Sequence, residues 1–329
     1  MTAEERTNAL STFGFTDRQA RFLTTAMLHG GVCLGRQYCA FAGIRRGQVM
    51  HDFFADLMQR GYATAYKRAH RKTHLYHIHG KALYRALGEP NNRNRRIVPL
   101  PRAVERVMLL DAVIARPDVA WLATEREKVA HFTREGRLRP LELPHLAFGN
   151  ERGMTIRYFP DKLPIGIDRD GRTHLFLYLV TRRQPVDFRA FLHRHAEVLR
   201  TLSNWRIRLL IPRHLAPAAD RYRAALRDEF ATPLQSTTLD ELKWFFEQRR
   251  KAATVLGVLA EARYQQAQEI FGTPRFRVLY RSWLRYGDAA LHATLSPVLA
   301  DALAQRTGEL ECHVLPHTYQ HLASLVGTA

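Results

Sequence analysis

The chain has 329 residues, 46% hydrophobic and 10% aromatic, with 50 Lys+Arg against 31 Asp+Glu and a formal charge of +19. That apolar content is enough to bury real cores, which excludes a disordered chain, and roughly 100 to 200 residues per domain divides the length into two or three. The positive balance excludes a neutral globule and points to an anionic partner, nucleic acid ahead of a membrane surface. Of the cations 43 are Arg, whose planar fork pairs with phosphate through two parallel hydrogen bonds. No apolar run approaches the roughly 20 residues that span a bilayer, and MTAEERTNAL has neither an apolar signal core nor an Arg-rich transit pattern, so a cytoplasmic, nucleoid-associated protein is expected. Cys33, Cys39 and Cys312 have no metal-ligand spacing and read as reduced thiols.

Sixteen Lys+Arg against six Asp+Glu fall within residues 1–100, which makes the first third the expected nucleic-acid site. Thr16 caps a helix over Asp17–His29 with the stripe Ala20, Phe22, Leu23, Ala26 and Met27, and Gly30-Gly31 stops it. A short helix over Gly35–Ala42 carries Arg36 and Gln37. Gly43 then turns the chain into a third helix, about Arg45 to Arg60. Its inward positions are Val49, Phe53 and Leu57, with Met50 and Phe54 beside them; Arg45, Arg46, Gln48 and His51 lie on its start and outer face. After Gly61, residues 62–79 read as two strands around a basic turn bearing Lys67, Arg68, Arg71 and Lys72, and a helix over Gly80–Leu87 closes the unit.

Three helices followed by a basic hairpin, with Leu57-Met-Gln-Arg-Gly-Tyr-Ala63 leading into it, resemble the winged helix-turn-helix over about residues 14–88. The resemblance implies a third helix in the major groove and a hairpin wing on phosphates or in the minor groove. Carried onto this chain, it makes Arg36, Gln37, Arg45, Arg46, Gln48 and His51 the DNA readers and Lys67, Arg68, Arg71 and Lys72 the wing contacts. His77 and His79 share one strand face without a third ligand nearby, and read as wing histidines near the DNA backbone rather than a metal site. Residues 1–88 thus form one domain. The stretch 89–101, rich in Pro and Asn, reads as a linker.

From Arg102 to residue 232 the patterns give a helix to about Ala115, a helical stretch from Ala123 to Phe132, and strands over Met154–Phe159, Leu163–Asp168 and Thr173–Thr181. A helix over Asp187–Leu202, a strand over Trp205–Ile211 and a helix over Ala218–Phe230 follow. This αβββαβ order, with Phe159-Pro160-Asp161, Asp168-Arg-Asp-Gly171 and the strands after them, resembles the PD-(D/E)XK nuclease fold. It is also similar to the middle part of the winged-helix replication-relaxation proteins of plasmids and other mobile elements. An active nuclease of that fold needs two carboxylates around Mg²⁺ with a lysine beside them. Asp161 supplies the first, but residues 175–183 hold neither acid nor lysine. The resemblance therefore implies a pseudo-nuclease scaffold with no catalytic residue and no cofactor; the alternative is a Mg²⁺-dependent DNA endonuclease using Asp161 and an unlocated second acid. Arg189, His193, Arg194, His195 and Arg200, on the outer side of the helix after these strands, extend the basic surface.

Residues 233–329 read as almost wholly helical. One pattern of about 30 residues, Leu239–Phe271, is long enough to pack on a second copy, so a homodimer is expected. Next, Arg275, Arg277, Arg281 and Arg285 interleave with Phe276, Tyr280, Trp283 and Tyr286, either for phosphate contacts and base stacking or as a core stripe with an arginine rim. Tyr319, among His313, His317 and His321, lacks the spaced arginines of a recombinase nucleophile. These patterns lead to an α+β, mainly helical chain that acts as a sequence-specific double-stranded DNA-binding protein. From the resemblance its setting is a bacterial mobile element, as an accessory to a recombinase, transposase or replication protein, or as a repressor. An adaptor that merely holds DNA near a partner enzyme is a further reading.

Overall fold

The computed structural model describes residues 1–66, 74–150, 153–252 and 262–319. The fold is α+β and mainly helical. Its first part runs α1 (Ala3–Ser11), α2 (Asp17–His29), β1 (Val32–Leu34), α3 (Gly35–Ala42), α4 (Gln48–Gln59), β2 (Ala63–Ala65), β3 (Leu75–Ile78) and α5 (Lys81–Ala86). Thr16 caps α2 as its residue type demands: its hydroxyl accepts the Gln19 N–H while the Gln19 side chain accepts the Thr16 N–H. Strand β1, three residues between Gly31 and Gly35, is too short to show a period and was not expected. It pairs antiparallel with β3, which pairs antiparallel with β2, giving the strand order β1-β3-β2.

The body follows with α6 (Leu100–Ile114), β4 (Ala120–Leu122), α7 (Glu125–Arg134), β5 (His145–Asn150), β6 (Gly153–Tyr158), β7 (Ile165–Ile167), β8 (Thr173–Leu179), α8 (Val186–Thr201), β9 (Asn204–Ile211) and α9 (Ala219–Leu226). The chain continues through α10 (Ser236–Ala252), α11 (Ala262–Phe271), α12 (Pro274–Tyr286), α13 (Ala289–His292), α14 (Val298–Ala304) and β10 (Gly308–Val314). The main sheet has the order β10-β9-β8-β7-β4, parallel between β8, β9 and β10 and antiparallel toward β4.

Two expectations for this sheet need correction. Among the described residues strand β6, expected inside it, pairs only with β5 in a separate hairpin, and the short β4 takes the edge instead. Residues 308–314, expected to be helical, return as β10 and pair in parallel with β9 from Gly308 opposite Trp205 to Val314 opposite Ile211. Cross-strand charge supports the pairing: two acids of β10 face two arginines of β9, with Glu311 2.8 Å from Arg206 and 2.6 Å from Arg208 and Glu309 3.4 Å from Arg206. Among the described residues, α10 to α14 are therefore an excursion from the body, to which the chain returns as β10.

Side-chain alternation along β8 sorts the two cores. Phe176 and Tyr178 face α8 and α9, whereas Leu175, Leu177 and Leu179 face α6. The α6 side is shared, because Ala103, Val104, Val107 and Met108 also pack against Val32, Leu34 and Leu75 of the first sheet. Helix α6 is thus sandwiched between two sheets. The segment 89–101, expected as a linker, is held as well: Asn94 donates to the Met27 and Leu28 carbonyls, and Tyr66 donates to Val98 O.

The expected single helix over Leu239–Phe271 is likewise corrected among the described residues. Helices α10 and α11 fold back on each other, with Phe245 5.3 Å from the Tyr264 ring and Arg263 2.8 Å from Glu241. Their apolar faces cover one another, which removes the length argument for a dimer.

Candidate nucleic-acid interface

Helix α4 is held from inside by rings. Phe53 lies 4.4 Å from Tyr38 and Phe54 stacks on Tyr76 at 4.0 Å, so the opposite face is turned outward in a fixed orientation. Gly47 starts the helix three residues later than expected, which leaves Arg45 and Arg46 in the loop just ahead of it. Both are exposed, as are Gln48 and His51, and among the described residues neither arginine has an ion-pair partner. Gln48 donates to Asp52 at 2.6 Å. Val49, expected inward, is 63% exposed beside them, because Met50 fills that core position. The wing cations Lys67, Arg68, Arg71 and Lys72 lie outside the described residues.

Two of the expected DNA readers are committed elsewhere. Gln37 is fully buried; its oxygen accepts the Leu34 N–H and its amide donates to Val107 O, both at 2.9 Å. Arg36 forms two parallel bonds of 2.7 and 2.6 Å with Asp111 of α6, and Tyr319 donates to the same carboxylate at 2.6 Å. These residues join the N-terminal part to α6 rather than facing solvent. Asp111 and Tyr319 lie 75 and 208 residues from their contacts here, and no local spacing announces them. Tyr319 is correspondingly structural. His77 is also withdrawn: it is buried, with Nε2 2.9 Å from the Asn94 carbonyl, and so holds segment 89–101 against β3.

The basic side of α8 is turned inward as well. Arg189 reaches Glu229 at 2.5 Å and Asp228 at 2.6 Å, and His193 lies 2.9 Å from Glu229. Surrounding groups favour the ionised carboxylate of Glu229 and hold it below the ordinary range, although burial opposes them. His195 is buried, its Nδ1–H donating to Phe191 O, and desolvation pushes its pKa down to about 4. The sequence pattern missed this because the turn after α9 and helix α12 cover the face that a lone amphipathic helix would leave wet. In α12 itself, Leu279 and Trp283 are buried, so the ring-rich stripe is core.

Asp161 sits in the turn between β6 and β7, where Arg194 closes on both its oxygens at 2.6 and 3.2 Å. A guanidinium thus occupies the approach a metal would use, and this donor set does not fit Mg²⁺. Among the described residues no group of three or more His, Cys, Asp or Glu side chains is placed to hold a metal ion. Lys128 of α7 is buried near Asp161, donates to Leu163 O at 2.7 Å, and is pushed by desolvation down to about 8. Asp168 and Asp170 belong to the β7–β8 hairpin: Asp170 accepts the N–H groups of Arg172 and Thr173, and Asp168 pairs with Arg116 at 2.8 Å.

Comparison with protein-family models, with curated proteins and with solved structures finds no match to this chain. No helix among the described residues is long and apolar enough to cross a membrane.

Proposed function

We propose that the chain is a sequence-specific double-stranded DNA-binding protein of the winged helix-turn-helix type. It acts without catalysis, as an accessory or regulatory factor of a bacterial mobile element. The observation that carries this reading is the exposed set Arg45, Arg46, Gln48 and His51 at the entry of one ring-anchored helix. The strand order β1-β3-β2, with the basic residues 67–72 between β2 and β3, supports it by matching the element order of such a head. Arg and Gln near a helix start can meet guanine and adenine edges in the major groove, while the hairpin cations contact phosphate without regard to sequence. The clamp of α6 between the two sheets gives the head a rigid mount on the body, so it reaches DNA as one piece with whatever partner the body engages. A recombinase, transposase or replication protein belongs to that partner class.

Selection of bound fragments from the source genome, followed by footprinting, tests the reading. A preferred site should emerge, and Arg45→Ala should weaken that site by about 1–3 kcal/mol while leaving random DNA nearly unaffected. Absence of a preferred site together with unchanged affinity of the Arg45→Ala variant refutes it.

A further inference from the structure

A cleft of about 670 Å³ opens where residues 91–94 and α6 face the turn 159–163 of the body, with the β5–β6 hairpin at its mouth. Its walls carry Arg93, Arg102, Arg106, Arg157 and Lys162, with Lys128 among the lining residues. Acids face it too. Asp161 is bound to Arg194, Glu105 pairs with Arg102, and Glu125 accepts the Tyr158 N–H, 3.9 Å from Arg157. Glu89 is pushed up by burial. Among the described residues the side chains of Arg93 and Lys162 have no ion-pair or hydrogen-bond partner, so a cationic excess remains in the cleft. Burial and the positive charge of Arg93, Arg106, Arg102 and Arg157 hold the Lys162 ammonium below the ordinary lysine range.

Two further features mark the wall as built. Phe159 at φ 47° and Lys162 at φ 55° both occupy left-handed backbone conformations, which side-chain-bearing residues adopt at a cost and which cluster at ligand clamps. Leu146, Phe148 and Phe159 add apolar surface to the lining, with Leu146 directly across the β5–β6 pair from Arg157. A volume of this size, lined by apolar surface together with unpaired cations, suits a small ligand with a flat part and an anionic end. We propose that the cleft binds the phosphate of a nucleotide-sized organic phosphate, seated against Lys162, Arg93 and Arg157. The site is distinct from the α4 surface and does not depend on the DNA-binding reading.

The test uses the full chain, with thermal unfolding and calorimetry in sodium phosphate and in adenosine monophosphate, each against sodium chloride at equal ionic strength. Lys162→Gln and Arg93→Gln remove the two unpaired cations; an Arg45→Ala/Arg46→Ala double variant serves as the control for the α4 surface. Saturable stabilisation by phosphate or the monophosphate is expected, with Kd weakened at least tenfold in either cleft variant and unchanged in the control. Both cleft variants should unfold without ligand at or above the wild-type temperature, because like charges have been relieved. No response beyond that to chloride, an equal response in all variants, loss in the control variant alone, or a response only to a 12-nucleotide single-stranded DNA would each overturn the proposal.

Discussion

Replacing Arg36 by Ala separates a structural arginine from a DNA-reading one. Its guanidinium and the Asp111 carboxylate keep only 18% and 13% of their side-chain surface exposed, and Tyr319 adds a third bond to the same acid. Removing one partner of a fully buried pair costs roughly 3–5 kcal/mol, because the other charge stays behind without compensation. The residual exposure lets water reach Asp111, so about 2–4 kcal/mol is expected here. For large domains 1 kcal/mol moves Tm by roughly 2–4 °C, and the length of this chain favours the lower end, giving a fall of about 4–8 °C. Differential scanning calorimetry measures it, and a double-mutant cycle with Asp111→Asn should return a coupling of about 1–3 kcal/mol. At 15 °C, where both proteins are folded, cognate DNA affinity should stay within about twofold of wild type, in contrast to Arg45→Ala. A variant that keeps its Tm within about 1 °C yet loses tenfold in DNA affinity would refute the argument and return Arg36 to the interface.

Three other outcomes follow from the same geometry. Gly308→Ala would drive a Cβ into the Trp205 indole and should cost roughly 1–3 kcal/mol in urea unfolding; a neutral result would dissociate β10 from β9. His195 is neutral when folded, with its pKa at about 4 against the ordinary 6.5, among Asp161, Arg194 and Lys128. The unfolded chain binds the extra proton between those values, so stability should fall as pH drops from 6.5 toward 4, by roughly 3 kcal/mol in all. His195→Leu should flatten that slope, and unfolding curves at pH 7 and pH 4.5 would expose the error if both proteins lose stability equally. Finally, Lys67→Ala with Lys72→Ala should weaken all DNA sequences alike and reduce the slope of log K against log salt by about 2; a loss confined to one sequence would move these lysines from phosphate to bases.

The head was largely legible because its signals are local. The Thr16 cap, the Gly30-Gly31 stop, and the spacing of Phe53, Phe54 and Leu57 each act within a single helix, and each appears in the structure as its chemistry requires. Strand β1 was not legible, since three residues cannot express a period. The arginines of α8 misled for a related reason: periodicity separates apolar from polar faces, but it does not say that a second polar layer will cover the polar one. Arg189 meets Glu229 across 40 residues, and Arg206 meets Glu309 across 103. The cleft cations follow the same rule. Arg93 and Lys162 are surface residues in any one-dimensional reading and become neighbours only when α6 docks.

Sequence by itself determined the helical head, the strand-rich middle, the basic excess in the first hundred residues and the absence of an acid or lysine from β8. All of these depend on residue type at short spacing, where backbone propensity and hydrophobic burial act directly. Tertiary structure alone decided which charges remain available. Long-range pairing turned Arg36, Arg189 and Arg194 into structural clamps, brought residues 308–314 back to the sheet edge, and left Arg45, Arg46, Arg93 and Lys162 without an ion-pair partner among the described residues. Charge is additive along a chain, but what it can bind is set by the partner each group finds after folding.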